Sequence, residues 1–154
     1  MPFYQFVQEQ DIPASTSEVW DFISSPANLK IITPPEMGFD ITNDVPDKMY
    51  PGMIITYKVS PFPMYTTNWV TEITQVRDQE FFIDEQRVGP YNIWHHQHIL
   101  GKAPNGAVRM KDIISYQPPM GFLGGIANPI LIKPRLNQIF DFRRQALIKM
   151  FGEP

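Results

Sequence analysis

The three histidines of the chain, His95, His96 and His98, all lie within one short segment. The surrounding pattern is that of a β-strand, in which successive side chains point to opposite faces of the sheet. His96 and His98 therefore share one face, and His95 lies on the other. Because histidine titrates near neutral pH and its ring nitrogens bind metals, the His96–His98 pair could perform acid–base chemistry, hold a metal ion or form a structural hydrogen-bonded pair.

Two neighbouring segments can bring carboxylates to this pair. Residues 80–88 and 107–117 also alternate as strands, and they carry Asp84 and Asp112 respectively. Lys111 lies on the face opposite to Asp112, and lysine favours solvent, so we predict that Asp112 points inward. By the same alternation we expect the row of His96 and His98 to face the interior and His95 to face out.

Catalysis and metal binding are both open to such a patch. A histidine oriented by an aspartate can act as a general base, and His96, His98 and Asp112 are the candidates. A metal site would need a third ligand, which Asp84 or Asp112 could supply, because two histidines alone are a weak signal. A hydrogen-bonded structural pair is the more frequent use of this pattern, and we expect neither a metal nor a cofactor. The chain has no cysteine, which excludes thiolate sites and disulfides.

One arginine is placed where an apolar residue would be expected. From Leu136 to Phe151 the apolar residues recur at helical spacing, and Arg143 lies four residues after Ile139 and four before Leu147, in the middle of this face. An unpaired buried charge is costly, so a buried Arg143 requires a partner. Asp84 and Asp112 are the obvious candidates.

The elements that must position these residues can be read from the same patterns. A first strand over residues 3–12 precedes a capping box at Ser15 and Glu18, which predicts a short helix, and a second short helix begins at Pro26. Alternating segments then run to residue 117, separated by turn signals, and predict an antiparallel meander. They cover residues 39–43, 53–59, 65–76, 80–88, 91–100 and 107–117. The chain is thus predicted to be one α+β domain over residues 1–154, with a curved antiparallel sheet of about seven strands around a long C-terminal helix.

Composition excludes several classes of function. The formal net charge is −3 and no basic run is present, which argues against nucleic-acid binding. No apolar run approaches the length of a membrane span, and no secretory signal pattern is found, so we expect a cytoplasmic protein. Hydrophobic residues make up 43% of the chain, enough for a folded core. The oligomeric state is left open.

A set of residues spread over nearly the whole chain forms a recognisable pattern. It consists of residues 18–23, Leu29, residues 33–35, residues 51–53, Trp69, Glu72, Ile73, residues 82–86, residues 89–91, Trp94, His96, His98, Met110, Asp112, Tyr116, Pro119 and residues 139–143. With these residues the chain resembles the helix-grip fold of the START/Bet v1-like superfamily, and more closely the bacterial ligand-binding SRPBCC proteins catalogued near polyketide cyclases. The resemblance implies a cavity between sheet and helix. Relatives of this fold bind lipids, hormones and polyketides, and some catalyse cyclisation or dehydration.

Three hypotheses for function follow. The first is binding of a small, largely apolar ligand of lipid, polyketide or isoprenoid type, with a polar patch orienting one end and aromatic rings burying the rest. The second is a cyclase or dehydratase using a histidine–aspartate pair, and the third is a structural or interaction domain with a closed polar network. The predicted ligand-binding residues are Trp69, Asp84, Gln86, Trp94, His96, His98, Asp112, Tyr116, Phe140 and Arg143.

Overall fold

A computed structural model of the chain describes residues 2–119 and 122–154. Within them the strands are β1 (Tyr4–Ile12), β2 (Asp40–Ile41), β3 (Met53–Phe62), β4 (Tyr65–Arg77), β5 (Phe81–Val88), β6 (Ile93–Lys102) and β7 (Val108–Gln117). They form one curved antiparallel sheet in the order β1-β7-β6-β5-β4-β3-β2, so that all neighbours except β1 and β7 are consecutive in the chain. The predicted meander, including the pairing of β5, β6 and β7, is thereby confirmed.

The first helix begins where the sequence predicts. In α1 (Thr16–Ile23), Ser15 is the N-cap and accepts from the backbone N–H of Glu18, while the Glu18 carboxylate accepts from the backbone N–H of Ser15. This reciprocal capping box satisfies amide groups that would otherwise lack partners at the helix start. Val19, Trp20 and Ile23 are buried along one side of α1.

Two expectations need correction in detail. The second short helix is a 3-10 helix (Pro26–Lys30), followed by a further 3-10 turn (Pro35–Met37). The strand expected over residues 39–43 is reduced to β2, whose two residues pair with Tyr57 and Lys58.

The C-terminal helix begins earlier than the pattern from Leu136 suggests. A short α2 (Phe122–Ala127) runs into a π-helical segment (Asn128–Ile132) and then into α3 (Lys133–Phe151). Pro134, which has no N–H to donate, is the second residue of α3, so the irregular π-helical turns directly precede it. None of the helices in the described ranges is long and apolar enough to cross a membrane.

The helix α3 lies in the concave side of the sheet and divides the interior into two packed regions. One region contains Leu147 of α3 together with the buried face of α1 and the neighbouring strand ends. The other is rich in aromatic rings, among them Trp69, Tyr91, Tyr116 and Phe140. The arrangement leaves the middle of the sheet, with the histidines of β6, beneath the central turns of α3.

Candidate functional site

Three adjacent strands bring the predicted polar residues together on the concave face. Asp84 of β5 lies directly opposite His96 of β6, and Asp112 of β7 lies directly opposite His98. His96 and His98 are each 5% exposed, whereas His95 is only half-buried, so the predicted facing is confirmed. With Arg143 from α3, these residues make up what we call the inner cluster: Asp84, His96, His98, Asp112 and Arg143.

Short contacts join the inner cluster into one network. His98 Nε2 lies 2.6 Å from Asp84 Oδ2, and His96 Nε2 lies 2.8 Å from Asp112 Oδ1. His98 Nδ1 is 3.2 Å from the same Asp112 oxygen. His96 Nδ1 faces Asp84 Oδ2 at 3.7 Å, which is beyond hydrogen-bond distance. One nitrogen of each imidazole is thus directed to Asp112, and the other to Asp84.

Aromatic packing holds the two imidazoles in place. The ring centroids of His96 and His98 are 3.7 Å apart, and Phe82 stacks on the outer side of His98 with centroids 4.0 Å apart and planes 16° from parallel. Phe140 meets His96 edge-on at 6.0 Å. Because both rings are held by neighbours, their nitrogens keep fixed directions.

Arg143 is mostly buried, as its place on the helix predicts. Its side chain is 11% exposed, and NH1 donates to Asp112 Oδ1 at 3.0 Å, so Asp112 rather than Asp84 is its direct partner. The guanidinium carbon also lies 4.6 Å from the centre of the Phe140 ring, a cation–π contact. Its Nε is buried and has no hydrogen-bond partner in the part of the chain that the structure describes.

Burial and these contacts shift the protonation of the cluster. Burial, reinforced by the neighbouring His98, lowers the pKa of His96 to about 4. Burial acts in the same direction on His98, but its hydrogen bonds with Asp112 and Asp84 outweigh it and raise the pKa of His98 above the usual value. Burial alone would raise the pKa of Asp112, yet Arg143 and the two histidines hold it well below the ordinary range. Burial would also raise the pKa of Asp84, but its hydrogen bond with His98 and the nearby positive charges lower it. Near neutral pH the inner cluster therefore holds a neutral His96 and two carboxylates.

A cavity of about 130 Å³ lies between the sheet and α3. This volume is roughly ten times the minimum that holds one water molecule. Its wall is mainly apolar and aromatic, with a polar patch from the inner cluster. The predicted residues that line it are Trp69, Asp84, Trp94, His96, His98, Phe140 and Arg143.

The other three predicted ligand-binding residues lie away from the cavity wall. Asp112 is 2% exposed and sits behind the histidines. The Gln86 side chain is held by the backbone of the following turn, accepting from the N–H of Tyr91 and donating to its carbonyl. The hydroxyl of Tyr116 donates to the side chain of Asn128 in the π-helical segment. These positions favour a supporting role for the three residues over direct ligand contact.

Several cavity residues were not predicted from the sequence. Tyr91 shares the outward-facing alternation of His95 in the predicted strand, but it lies in the turn before β6 and lines the cavity. Met37 comes from a 3-10 turn, where no periodicity assigns a direction. Tyr57 could have been found, because Ile55, Tyr57 and Val59 alternate along β3. Arg135 of α3 also lines the cavity, although its guanidinium Nε is bonded to the carbonyl of Pro61.

The convex face of the same strands carries a second histidine–carboxylate–arginine group. His95 Nδ1 lies 2.6 Å from Glu85 Oε1, and Arg87 NH2 contacts Glu85 at 3.3 Å and Glu72 at 2.8 Å. We call these residues the outer cluster: Glu72, Glu85, Arg87 and His95. About half of the Arg87 side chain is exposed, at 49%.

Comparison with known proteins supports the fold. No protein-family model matches the sequence, and no curated protein matches it. Among solved structures, ginseng major latex-like protein 151 from Panax ginseng matches with a TM-score of 0.69 at 9% identity, over 97% of each chain. Norcoclaurine synthase from Thalictrum flavum, solved with dopamine and hydroxybenzaldehyde, matches with a TM-score of 0.66 at 15% identity, over 96% of this chain and 88% of the synthase.

A bacterial structure is similar to the same extent. Protein Ms6760 from Mycobacterium smegmatis matches with a TM-score of 0.67 at 14% identity, over 95% of this chain and 92% of that protein. The seven-stranded curved sheet and the long C-terminal helix are those of Bet v1-like proteins. The chain therefore has the Bet v1-like, helix-grip fold.

Proposed function

We propose that the whole chain is one ligand-binding domain, which holds a small, largely apolar molecule with one polar end in the cavity between the sheet and α3. The observation that carries the proposal is the composition of the cavity wall, which is mainly aromatic and aliphatic and includes a polar patch from Asp84, His96, His98 and Arg143 of the inner cluster. Ligand sites are commonly apolar clefts with a few convergent polar groups that set orientation. A lipid, polyketide or isoprenoid chain bearing an oxygen function fits this description.

The aromatic side of the cavity supports an apolar ligand. Trp69 and Trp94 meet edge to face with ring centroids 5.4 Å apart, and Tyr91 lies 4.8 Å from Trp94. Tyr57 stacks against Trp69 at 6.1 Å. These rings form a continuous surface on which a hydrocarbon chain or flat ring could pack while excluding water.

The polar side supports orientation of the ligand. Asp84 accepts hydrogen bonds, while the Arg143 guanidinium only donates them. An oxygen-bearing group placed beside them could exchange hydrogen bonds with both, whereas a purely aliphatic ligand would leave them desolvated at a cost. The proposed ligand is therefore amphipathic.

Intrinsic fluorescence tests the binding proposal, because Trp69 and Trp94 line the cavity and Trp20 does not. Titration with a panel of fatty acids, isoprenoid alcohols and aromatic polyketides should produce a saturable change. The Trp94→Phe variant should lose much of this change, and the matched Trp20→Phe variant should keep it. Native mass spectrometry of the purified protein should also detect a retained small molecule. If no member of the panel gives a saturable signal or a thermal shift, the binding proposal fails.

A second candidate is an enzyme of cyclase or dehydratase type. It is favoured by one observation: His98 and Asp84 are within 2.6 Å of one another and both line the cavity. Such a pair could transfer a proton to or from a bound ligand. Incubation of ligands found in the panel, followed by mass spectrometry of the products, tests this. Conversion by the wild type that is lost in Asp84→Asn supports catalysis. Recovery of the ligand unchanged supports binding without catalysis.

The cytoplasmic location expected from the sequence stays a prediction.

A further inference from the structure

We propose that Asp84, His96 and His98 form a binding site for one divalent first-row transition-metal ion, open to the cavity. This inference does not rest on the proposed binding of an apolar ligand. It replaces the expectation from the sequence that no metal is bound, because the fold supplies the third ligand that the two histidines lacked.

The donor atoms converge without any rearrangement of the backbone. One nitrogen of His96, one nitrogen of His98 and one Asp84 oxygen all lie within 4.8 Å of one another. Metal–nitrogen bonds of 2.0–2.1 Å in a tetrahedral site would place such atoms roughly 3.3 Å apart. Asp84 Oδ2 is 2.6 Å from His98 Nε2 and 3.7 Å from His96 Nδ1, so these distances bracket that value.

Asp112 directs both imidazoles toward that point. Its Oδ1 lies 2.8 Å from His96 Nε2 and 3.2 Å from His98 Nδ1. In the metal-free protein the 2.6 Å contact between His98 Nε2 and Asp84 Oδ2 carries a hydrogen, which a metal ion would displace. With hydrogens on the two nitrogens that face Asp112, His96 Nδ1 and His98 Nε2 would then present lone pairs to the ion. Histidines that ligate metals usually donate their other N–H to a carboxylate in this way, which fixes the tautomer. One carboxylate here serves both rings.

The charges of the cluster also favour a cation. Asp112 is paired with Arg143, but in residues 2–119 and 122–154 no lysine or arginine nitrogen lies within 4.0 Å of Asp84. The Asp84 side chain is only 16% exposed. Its compensating partner is the His98 imidazole at 2.6 Å, and a bound cation would take over that role.

The donor set selects the kind of metal. Two imidazoles and one carboxylate suit zinc, iron, cobalt, nickel or copper, whereas magnesium and calcium prefer oxygen-only sites. All three proposed ligands line the cavity, so the remaining coordination positions would face it. An oxygen or nitrogen donor of a bound molecule could occupy one of them.

The test uses the full chain, freed of metal by a chelator and titrated with Zn²⁺ or Co²⁺ alone. We expect saturable binding of one equivalent, seen by calorimetry for Zn²⁺ and by visible absorption bands for Co²⁺. Asp84→Asn and His96→Gln should abolish it, and Asp112→Asn should weaken it about 10- to 100-fold, as loss of a supporting carboxylate does. His95→Gln is the matched control and should bind as the wild type does, because His95 lies on the opposite face.

Two results would overturn the proposal. One is that the wild type shows no saturable Zn²⁺ or Co²⁺ binding in the micromolar range. The other is that His95→Gln and His96→Gln lose metal affinity to the same extent. If the variants do not fold, nitrogen NMR of the wild-type histidines decides instead. Zn²⁺ should then shift His96 Nδ1 and His98 Nε2 and leave His95 unchanged, and any other pattern contradicts the site. Ligand titrations with and without Zn²⁺ keep this outcome separate from the binding proposal.

Discussion

The inner and outer clusters contain the same chemical groups and lie on opposite faces of β5 and β6, yet their surroundings differ. His98 lies 2.6 Å from Asp84 on the concave face, and His95 lies 2.6 Å from Glu85 on the convex face. Each cluster also contains one arginine. The inner group is enclosed beneath α3, whereas the outer group meets water. Equal distances therefore do not imply equal energies, because the cost of removing charge from water differs between the two faces.

The largest difference should appear when each arginine is removed. Arg143→Leu leaves Asp112 buried without its guanidinium, and should lower the free energy of unfolding by about 3–5 kcal/mol. Arg87→Leu removes exposed pairs and should cost about 0–1 kcal/mol. Urea unfolding of both variants measures the contrast.

The double variant Arg143→Leu/Asp112→Asn separates the ion pair from the packing of the arginine. It should recover part of the stability lost in Arg143→Leu, since the stranded charge is gone. Similar losses for Arg143→Leu and Arg87→Leu would mean that the buried pair has no special energetic role. If Arg143→Leu were as stable as the wild type but failed to bind ligand, Arg143 would instead serve an anionic ligand group.

Neutralising one carboxylate on each face gives a smaller, matched contrast. Asp84→Asn weakens a hydrogen bond to a buried histidine and should cost about 1.5–3 kcal/mol, the range for hydrogen bonds to charged groups. Glu85→Gln, one residue further along β5, should cost about 0–1 kcal/mol. Thermal unfolding in metal-free buffer provides the comparison, and a greater loss for Glu85→Gln would reverse the assignment of faces.

The inner cluster should also impose a particular pH dependence on the metal-free protein. The pKa of His96 is lowered from 6.5 to about 4, so between these values the unfolded chain binds a proton that the folded chain does not. Stability should therefore fall as pH decreases through this window. The pKa of His98 is raised, so its contribution is fully present below 6.5 and is lost as pH rises through the raised value.

Urea unfolding across this pH range, with NMR titration of the histidines, checks both signs. His96→Gln should flatten the loss of stability between pH 6.5 and about 4. A His96 resonance that becomes protonated before that of His98 as pH is lowered would contradict the assignment.

The smallest expected effect is a difference in sensitivity to salt. Exposed charges are screened within about 8–10 Å at physiological ionic strength, and buried ones much less. High salt should therefore remove most of the small loss in unfolding free energy caused by Arg87→Leu. It should leave the loss caused by Arg143→Leu nearly unchanged. Equal salt dependence in the two variants would show that solvent reaches the inner cluster.

Much of this organisation could be predicted from periodicity alone. Alternation along β6 correctly placed His95 on the opposite face from His96 and His98. Helical spacing correctly predicted that Arg143 points toward the sheet. The choice of Asp112 over Asp84 as the partner of Arg143 could not be predicted. It depends on where α3 sits along the sheet, which local patterns do not encode.

The misplaced residues show a different limit. Gln86 shares the alternation of Asp84, but its amide reaches only as far as the next turn and bonds the backbone of Tyr91. A Cβ added to Gly89 would collide with the Gln86 side chain, so this glycine leaves the space that the side chain occupies. Tyr116 points inward as expected, yet its hydroxyl donates a hydrogen bond to the side chain of Asn128. In both cases a polar group of the protein satisfies the residue before any ligand could.

The pairing of β1 with β7 has a consequence for how the chain reaches its folded state. Gln5 and Ser115 touch across these strands although they lie 110 positions apart. During synthesis β1 leaves the ribosome long before its partner exists, and α3, which covers the cavity, emerges later still. Contacts of such separation are expensive in chain entropy and slow to form. The meander from β3 to β7 can assemble from local hairpins, so the docking of β1 and α3 should be the late step. The cavity would then come into being only at the end of folding, when a ligand or metal ion could be enclosed as the last strand closes.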